Sequence, residues 1–256
     1  LAFQDSWSLL FEDTYDLNSL DYDYIWISHE HPDHFSIPTL KKLSKPKKFL
    51  YQKTEDKKVK KYLESNGHEV IELEHKKKTL IDDIDVTSIV CYGFDCSILF
   101  KFEDGTSFLN INDARVDLKH HLETEILEFI KPNKLSLVAS QFSYANWAGN
   151  SDDKKMPQHK QKMADNKNKY IIDTVKPEAL LLFASFVYYC HEENFYWNKK
   201  SIFSHVLNEL KNSKTKLILP KPKQVVDLLK INHEDFDEKN IDSENFWEQL
   251  LNHSNI

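Results

Sequence analysis

Residues 24–35 read YIWISHEHPDHF. Tyr24, Ile25, Trp26 and Ile27 make a short aromatic and β-branched run, the pattern of a buried strand. Ser28 then leads into His29, His31, Asp33 and His34. Along an extended chain, residues two apart share a face, so His29 and His31 are set to grip one cation side by side. Asp33 and His34 follow as the chain turns and can hold a second cation or a water. Imidazole with carboxylate suits Zn(II), Fe(II) or Mn(II). A lone histidine is ordinarily a surface residue. Three of them and an aspartate packed directly behind a strand read as a metal loop rather than a polar turn.

The surroundings of this loop are those of an ordinary globular chain. At 256 residues, 40% hydrophobic and 12% aromatic, it can bury one sizeable core, and no linker or repeat divides it. We read a single domain over 1–256. The formal charge is −7 and Arg115 is the sole arginine, a balance that argues against nonspecific nucleic-acid binding. The lysine runs at 57–61 and 76–78 read as solvated faces. Cys91, Cys96 and Cys190 form neither a disulfide framework nor a C-x-x-C pair, which favours a reducing, cytoplasmic setting. No apolar run reaches transmembrane length and no signal peptide opens the chain. The first residue is Leu, so the start looks cut.

Outward from the loop, Ser36 and Pro38 predict a helix start, with the helix Pro38–Leu43 directing its N-terminal amides toward the histidines. Lys47–Tyr51 reads as a strand, and Thr54–Asn66 as a helix closed by Gly67. Val70–Leu73, Leu80–Ile81 and Ile84–Val90 read as strands. Ser97–Phe102 and Ser107–Ile111 flank Asp104-Gly105, a strong hairpin signal. Leu118–Ile130 has helical spacing. Leu135–Ala139 is a short buried strand, Asp152–Lys176 a surface helix, and Leu180–Phe183 a strand. A helix over Lys199–Lys211, a strand at Leu217–Leu219 and a terminal helix over Glu244–Leu251 complete the order. The segment 1–13 reads as a loop leading into a short element.

The spacing H-x-H-x-D-H resembles the signature of the metallo-β-lactamase superfamily. The segment 28–43, SHEHPDHFSIPTLKKL, resembles one branch of it, the β-lactamase-like domain of CMP-N-acetylneuraminate hydroxylases and bacterial relatives. FLNINDARV at 108–116, QFSYANW at 141–147 and FASFVYYCHEENFYWN at 183–198 are similar to later blocks of that branch, in the same order. The resemblance implies an α/β, four-layer αββα sandwich, here without the N-terminal strands that relatives carry. It implies one metal on His29 and His31 and another on Asp33 and His34, with Asp113 bridging, hence two zinc ions per chain, or iron as the alternative. Two histidines expected of the family have no counterpart. His68 and His75 come too early for the first, and Asp95 can substitute there; His191 is the remaining candidate for the second.

Three functions are compatible with these residues. The favoured one is a hydrolase in which a metal-activated water attacks an ester, amide or phosphoester and Asp33 orients that water or acts as base. A non-haem iron oxygenase is the second, with an electron-transfer partner, since the cysteine and histidine pairs of a Rieske cluster are not found. The third is a degenerate, non-catalytic domain. Arg115 offers a planar fork for the anionic group of a small-molecule substrate, with Tyr144, Asn146 and Trp147 beside it. Pairing of Arg115 with Asp117 or Glu123 is the competing reading.

Overall fold

The structure is a computed structural model. It describes residues 7–11, 16–91, 95–112, 114, 135–142, 152–153, 155–184, 186–193, 195–199, 213–231, 243 and 245–250. Two sheets face each other. The smaller holds β2 (Tyr24–Ile27), β3 (Lys48–Gln52) and β4 (Glu69–Leu73), all parallel. The larger holds β5 (Lys78–Ile81), β6 (Ile84–Cys91), β7 (Asp95–Lys101), β8 (Ser107–Asn112), β9 (Leu137–Gln141), β10 (Ala179–Phe183) and β12 (Lys216–Ile218). From β5 to β8 that sheet is an antiparallel meander; from β8 through β9 and β10 to β12 it is parallel. A small outlying pair joins β1 (Trp7–Leu9) to β11 (Val187–Tyr189), antiparallel.

Alternation along the strands sets the layers. On β3, Leu50 points between the sheets, where it meets Leu73, Ile81, Val86 and Ile98. Phe49 and Tyr51 point the other way, under Val59 and Leu63 of α2 (Lys58–Ser65). The far face of the larger sheet presents Ile89, Leu99, Leu109, Val138 and Leu180 to Ile171, Ile172 and Val175. Those three close α3 (Lys155–Tyr170) in a π-helical turn. Helix, sheet, sheet, helix is the expected αββα order.

Several expectations shift on contact with the structure. The run 24–27 is a strand, but of its residues just Ile27 is fully buried, because β2 lies at the edge of its sheet. The helix expected over 38–43 is a single turn, α1 (Ile37–Leu40), capped by the Ser36 hydroxyl. One turn carries little dipole. The segment 152–176 is not a surface helix throughout, since its last turn carries Ile171, Ile172 and Val175 into the core. Within 1–13, Trp7–Leu9 is a strand whose partner lies far along the chain. Gly67 closes α2 as expected, at φ +83°, with His68 N–H bonded back to Leu63 O at 3.1 Å. Asp104-Gly105 makes the β7–β8 hairpin, Asp104 accepting from Thr106. The predicted helices over 118–130 and 199–211 lie outside the described residues.

Glu72 ties the start of α2 to the small sheet through two lysines. Lys60 Nζ donates to Glu72 Oε2 at 2.6 Å, with Lys57 at 3.7 Å. Burial by itself would raise the Glu72 pKa; the Lys60 hydrogen bond and the charges of Lys60 and Lys57 outweigh it and hold it below the usual range. A depressed carboxylate stabilises the fold above its unfolded pKa of about 4.3 and loses that contribution as pH falls through the folded value. Glu72→Gln should therefore cost about 1 kcal/mol at neutral pH. In urea titrations over a pH series, the gap between wild type and variant should close as the medium is acidified below about pH 4.3. A gap independent of pH would show that the carboxylate charge is not what matters.

Candidate metal centre

β2 ends at Ile27 and delivers Ser28 and His29, both buried, to the end of the inter-sheet core. The chain then turns on itself, with the amides of His34 and Phe35 bonded to His31 O at 2.9 and 2.7 Å. His31 is thereby brought back over His29: Nε2 of His29 lies 2.8 Å from Nδ1 of His31, and the rings meet edge to face. From the other sheet, the β6–β7 hairpin pairs Cys91 with Asp95 and places Asp95, also buried, at the same spot. Its Oδ1 is 3.5 Å from His29 Nε2. One ligand atom each from His29, His31 and Asp95 lie within 4.8 Å of one another.

Ser28 is the hub behind these rings. Its Oγ lies 3.0 Å from His29 Nδ1, 3.2 Å from His34 Nδ1, and accepts from Asn112 Nδ2 at 2.8 Å. Its carbonyl accepts from Gln52 Nε2 at 3.1 Å. Asn112 closes β8 at φ +58°, where the β8–β9 register shifts, and its amide nitrogen bonds the Asn110 side chain. Asparagine tolerates this left-handed conformation better than most residues. The hub thus joins β2, β3 and β8. Beside it, His34 Nε2 lies 3.5 Å from Asp33 Oδ2, at the exposed side of the loop.

Two imidazoles and a carboxylate converging on one point, with His31 exposed to solvent, fit a divalent cation with an open coordination position. Cys96, next in the chain, does not fit the ligand set: burial pushes its thiol up to about 12, and its sulfur faces Ser88 between the sheets. A cavity of about 660 Å³ opens beside the loop, lined among others by Glu30, Gln52, Lys53, Glu55 and His75. Glu30 sits in sequence between the two histidines.

Of the residues singled out from the sequence, His29 and His31 come together with Asp95, and Asp33 lies against His34. His191 is exposed beyond β11, its carbonyl accepting from Phe195 N–H; it is not part of the group formed with His29. His68 accepts from Lys47 N–H and packs edge-on against Phe49, away from the loop; His75 accepts from Val90 N–H on the cavity wall. Asp113, Arg115, Tyr144, Asn146 and Trp147 lie outside the described residues. Sequence reasoning passed over Ser28, Gln52 and Asn112, whose roles depend on strands brought together from separate parts of the chain.

No protein-family profile and no curated protein matches the chain. Solved structures do. An isothiocyanate hydrolase from gut bacteria of Delia radicum aligns with TM-score 0.57 at 13% identity, over 83% of this chain and 78% of its own. A possible metal-dependent hydrolase from Veillonella parvula gives 0.55 at 11%, over 80% and 75%. CmlA, a diiron β-hydroxylase from Streptomyces venezuelae, gives 0.50 at 16%, over 77% of this chain and 43% of its own, so the chain spans less than half of that protein. The chain has the metallo-β-lactamase fold. At these identities the likeness is one of architecture.

Proposed function

We propose that the chain is a metal-dependent hydrolase acting on an ester, amide or phosphoester of a small molecule. The observation that carries this reading is the convergence of His29, His31 and Asp95 within 4.8 Å, beside an open cavity. A bound zinc ion would supply Lewis acidity and a water acidic enough to ionise near neutral pH. His29, buried and held by Ser28, forms the inner wall of the site. His31 closes it from the solvent side. Asp33, at the exposed rim beside His34, would orient water or accept its proton. The cavity beside Glu30 and Gln52 has the size of a small-molecule site. Asp33 and His34 provide a second, weaker pair of ligands, with Asp113 as bridge and His191 as a further donor in the same proposal. Arg115, Tyr144, Asn146 and Trp147 would hold an anionic substrate group. None of Cys91, Cys96 and Cys190 is in a disulfide, and no described helix is long and apolar enough to cross a membrane; we place the protein in the cytoplasm.

A second reading has its own support. Two histidines and one carboxylate are also the donor set of non-haem Fe(II) oxygenases, and a diiron hydroxylase shares the fold. That reading needs an external electron donor. Metal-stripped protein reloaded with zinc, or with Fe(II) under anaerobic conditions, separates the two. Turnover by the zinc form on phosphodiesters, lactones or nucleotide sugars, lost in His29→Ala, is expected. Oxygen uptake by the iron form with a chemical reductant, and no hydrolysis by the zinc form, would replace the first reading with the second.

A further inference from the structure

The Ser28 hydroxyl has more neighbours than it can treat alike. A serine hydroxyl offers one proton and two lone pairs. Asn112 Nδ2, 2.8 Å away, donates into one lone pair. What remains is one lone pair and one proton, facing two imidazole Nδ1 atoms at 3.0 and 3.2 Å. One of His29 and His34 must then carry its proton on Nδ1 and donate to Ser28. The other must leave Nδ1 bare and accept from it, which puts its proton on Nε2. The two neutral rings are held in opposite tautomers.

Their Nε2 atoms point to different halves of the site. That of His29 faces His31 and Asp95; that of His34 faces Asp33. A cation can be bound through Nε2 only when that atom is bare, with the proton on Nδ1. We propose that Ser28 and Asn112 make the two halves of the centre compete: a cation on His29 turns the Ser28 hydroxyl toward His34 and fixes the His34 proton on Nε2, where it blocks the second position. The proton count of the Ser28–His34 pair is unchanged: as the hydroxyl rotates, His34 gives up its Nδ1 proton and takes one on Nε2 by exchange with solvent. The chain therefore takes one divalent cation readily, on His29, His31 and Asp95, and a second one reluctantly. Asn112 is the positioning residue that sets this bias, because removing its N–H returns a lone pair to Ser28 and lets both rings donate.

The inference rests on the metal-binding reading above, but its first test does not need metal. Long-range ¹⁵N–¹H spectra of metal-free protein, at a pH where the rings are neutral, report each tautomer; His34→Asn assigns the His34 signals. Opposite tautomers are expected for His29 and His34, and after one equivalent of zinc His34 should be the Nε2–H form. Equilibrium dialysis against zinc should give one tight equivalent and a second at least about tenfold weaker. Asn112→Gly suits the positive φ and deletes the amide; it should strengthen the second equivalent about tenfold while leaving the first in place. Ser28→Ala should unlock both tautomers and weaken the first equivalent. Nδ1 protons on both rings of the wild type would mean that Asn112 presents its oxygen to Ser28, and would overturn the proposal, as would equal affinity for two equivalents. Protein that binds no zinc but shows opposite tautomers would sink both the hydrolase reading and the competition between cations, whereas one tight and one weak equivalent without hydrolysis would sink the hydrolase reading alone.

Discussion

Asp95→Asn is expected to lower affinity for a divalent cation by at least about a hundredfold while leaving the protein folded. The side chain keeps its shape, but the carboxylate that joins His29 and His31 is gone. Neighbours that merely hydrogen-bond a ligand already account for about ten- to a hundredfold when removed. Asp95 is nearly isosteric with asparagine, and β7 stays paired to β6 and β8 by its backbone. Competition with a chromophoric chelator measures the loss, and circular dichroism checks the fold. An Asp95→Asn protein that holds zinc as tightly as the wild type would remove Asp95 from the site.

The second large effect is on stability. Phe49 is fully buried on β3, packed on Val59 and Leu63 from α2 and edge-on to His68. Phe49→Ala removes most of that contact and leaves a cavity at the centre of the layer that Tyr51, Val59 and Leu63 share with it. A cost of about 3–5 kcal/mol is expected, which for a chain of this size lowers the melting temperature by roughly 6–20 °C. Cation affinity of the folded protein should change little, because the link from β3 to the metal loop runs through Gln52 on the opposite face. Loss of less than about 1 kcal/mol would mean that α2 repacks onto the sheet and fills the space.

Much of this architecture is local in origin and so was legible. The hairpin at Asp104-Gly105 and the Gly67 stop need just their own residues and neighbours. The metal loop is legible for the same reason: His29, His31, Asp33 and His34 stand within one turn of chain. Asp95 could be suspected because it occupies the stretch where a ligand is expected, but its arrival beside His29 depends on the pairing of β6 with β7 and on the docking of two sheets. Ser28 and Asn112 carry no sequence signal toward each other; a serine before a histidine and an asparagine at a strand end are common. The β1–β11 pair was missed because neither three-residue strand has a pattern of its own. The buried end of α3 was misjudged because Ile171, Ile172 and Val175 follow a long polar stretch that dominates the average.

The change of character at β8 bears on the order of assembly. Strands β5 to β8 pair with sequence neighbours through short turns, whereas β9, β10 and β12 join only after long crossovers. Low sequence separation favours rapid formation, and distant parallel pairing is slow. The meander is thus placed to form early, carrying Asp95, while His29 waits on the separate parallel sheet. Competence to take up a cation should consequently appear late in refolding, behind most of the secondary structure. A stopped-flow record would show the ellipticity change preceding the appearance of cobalt absorption bands.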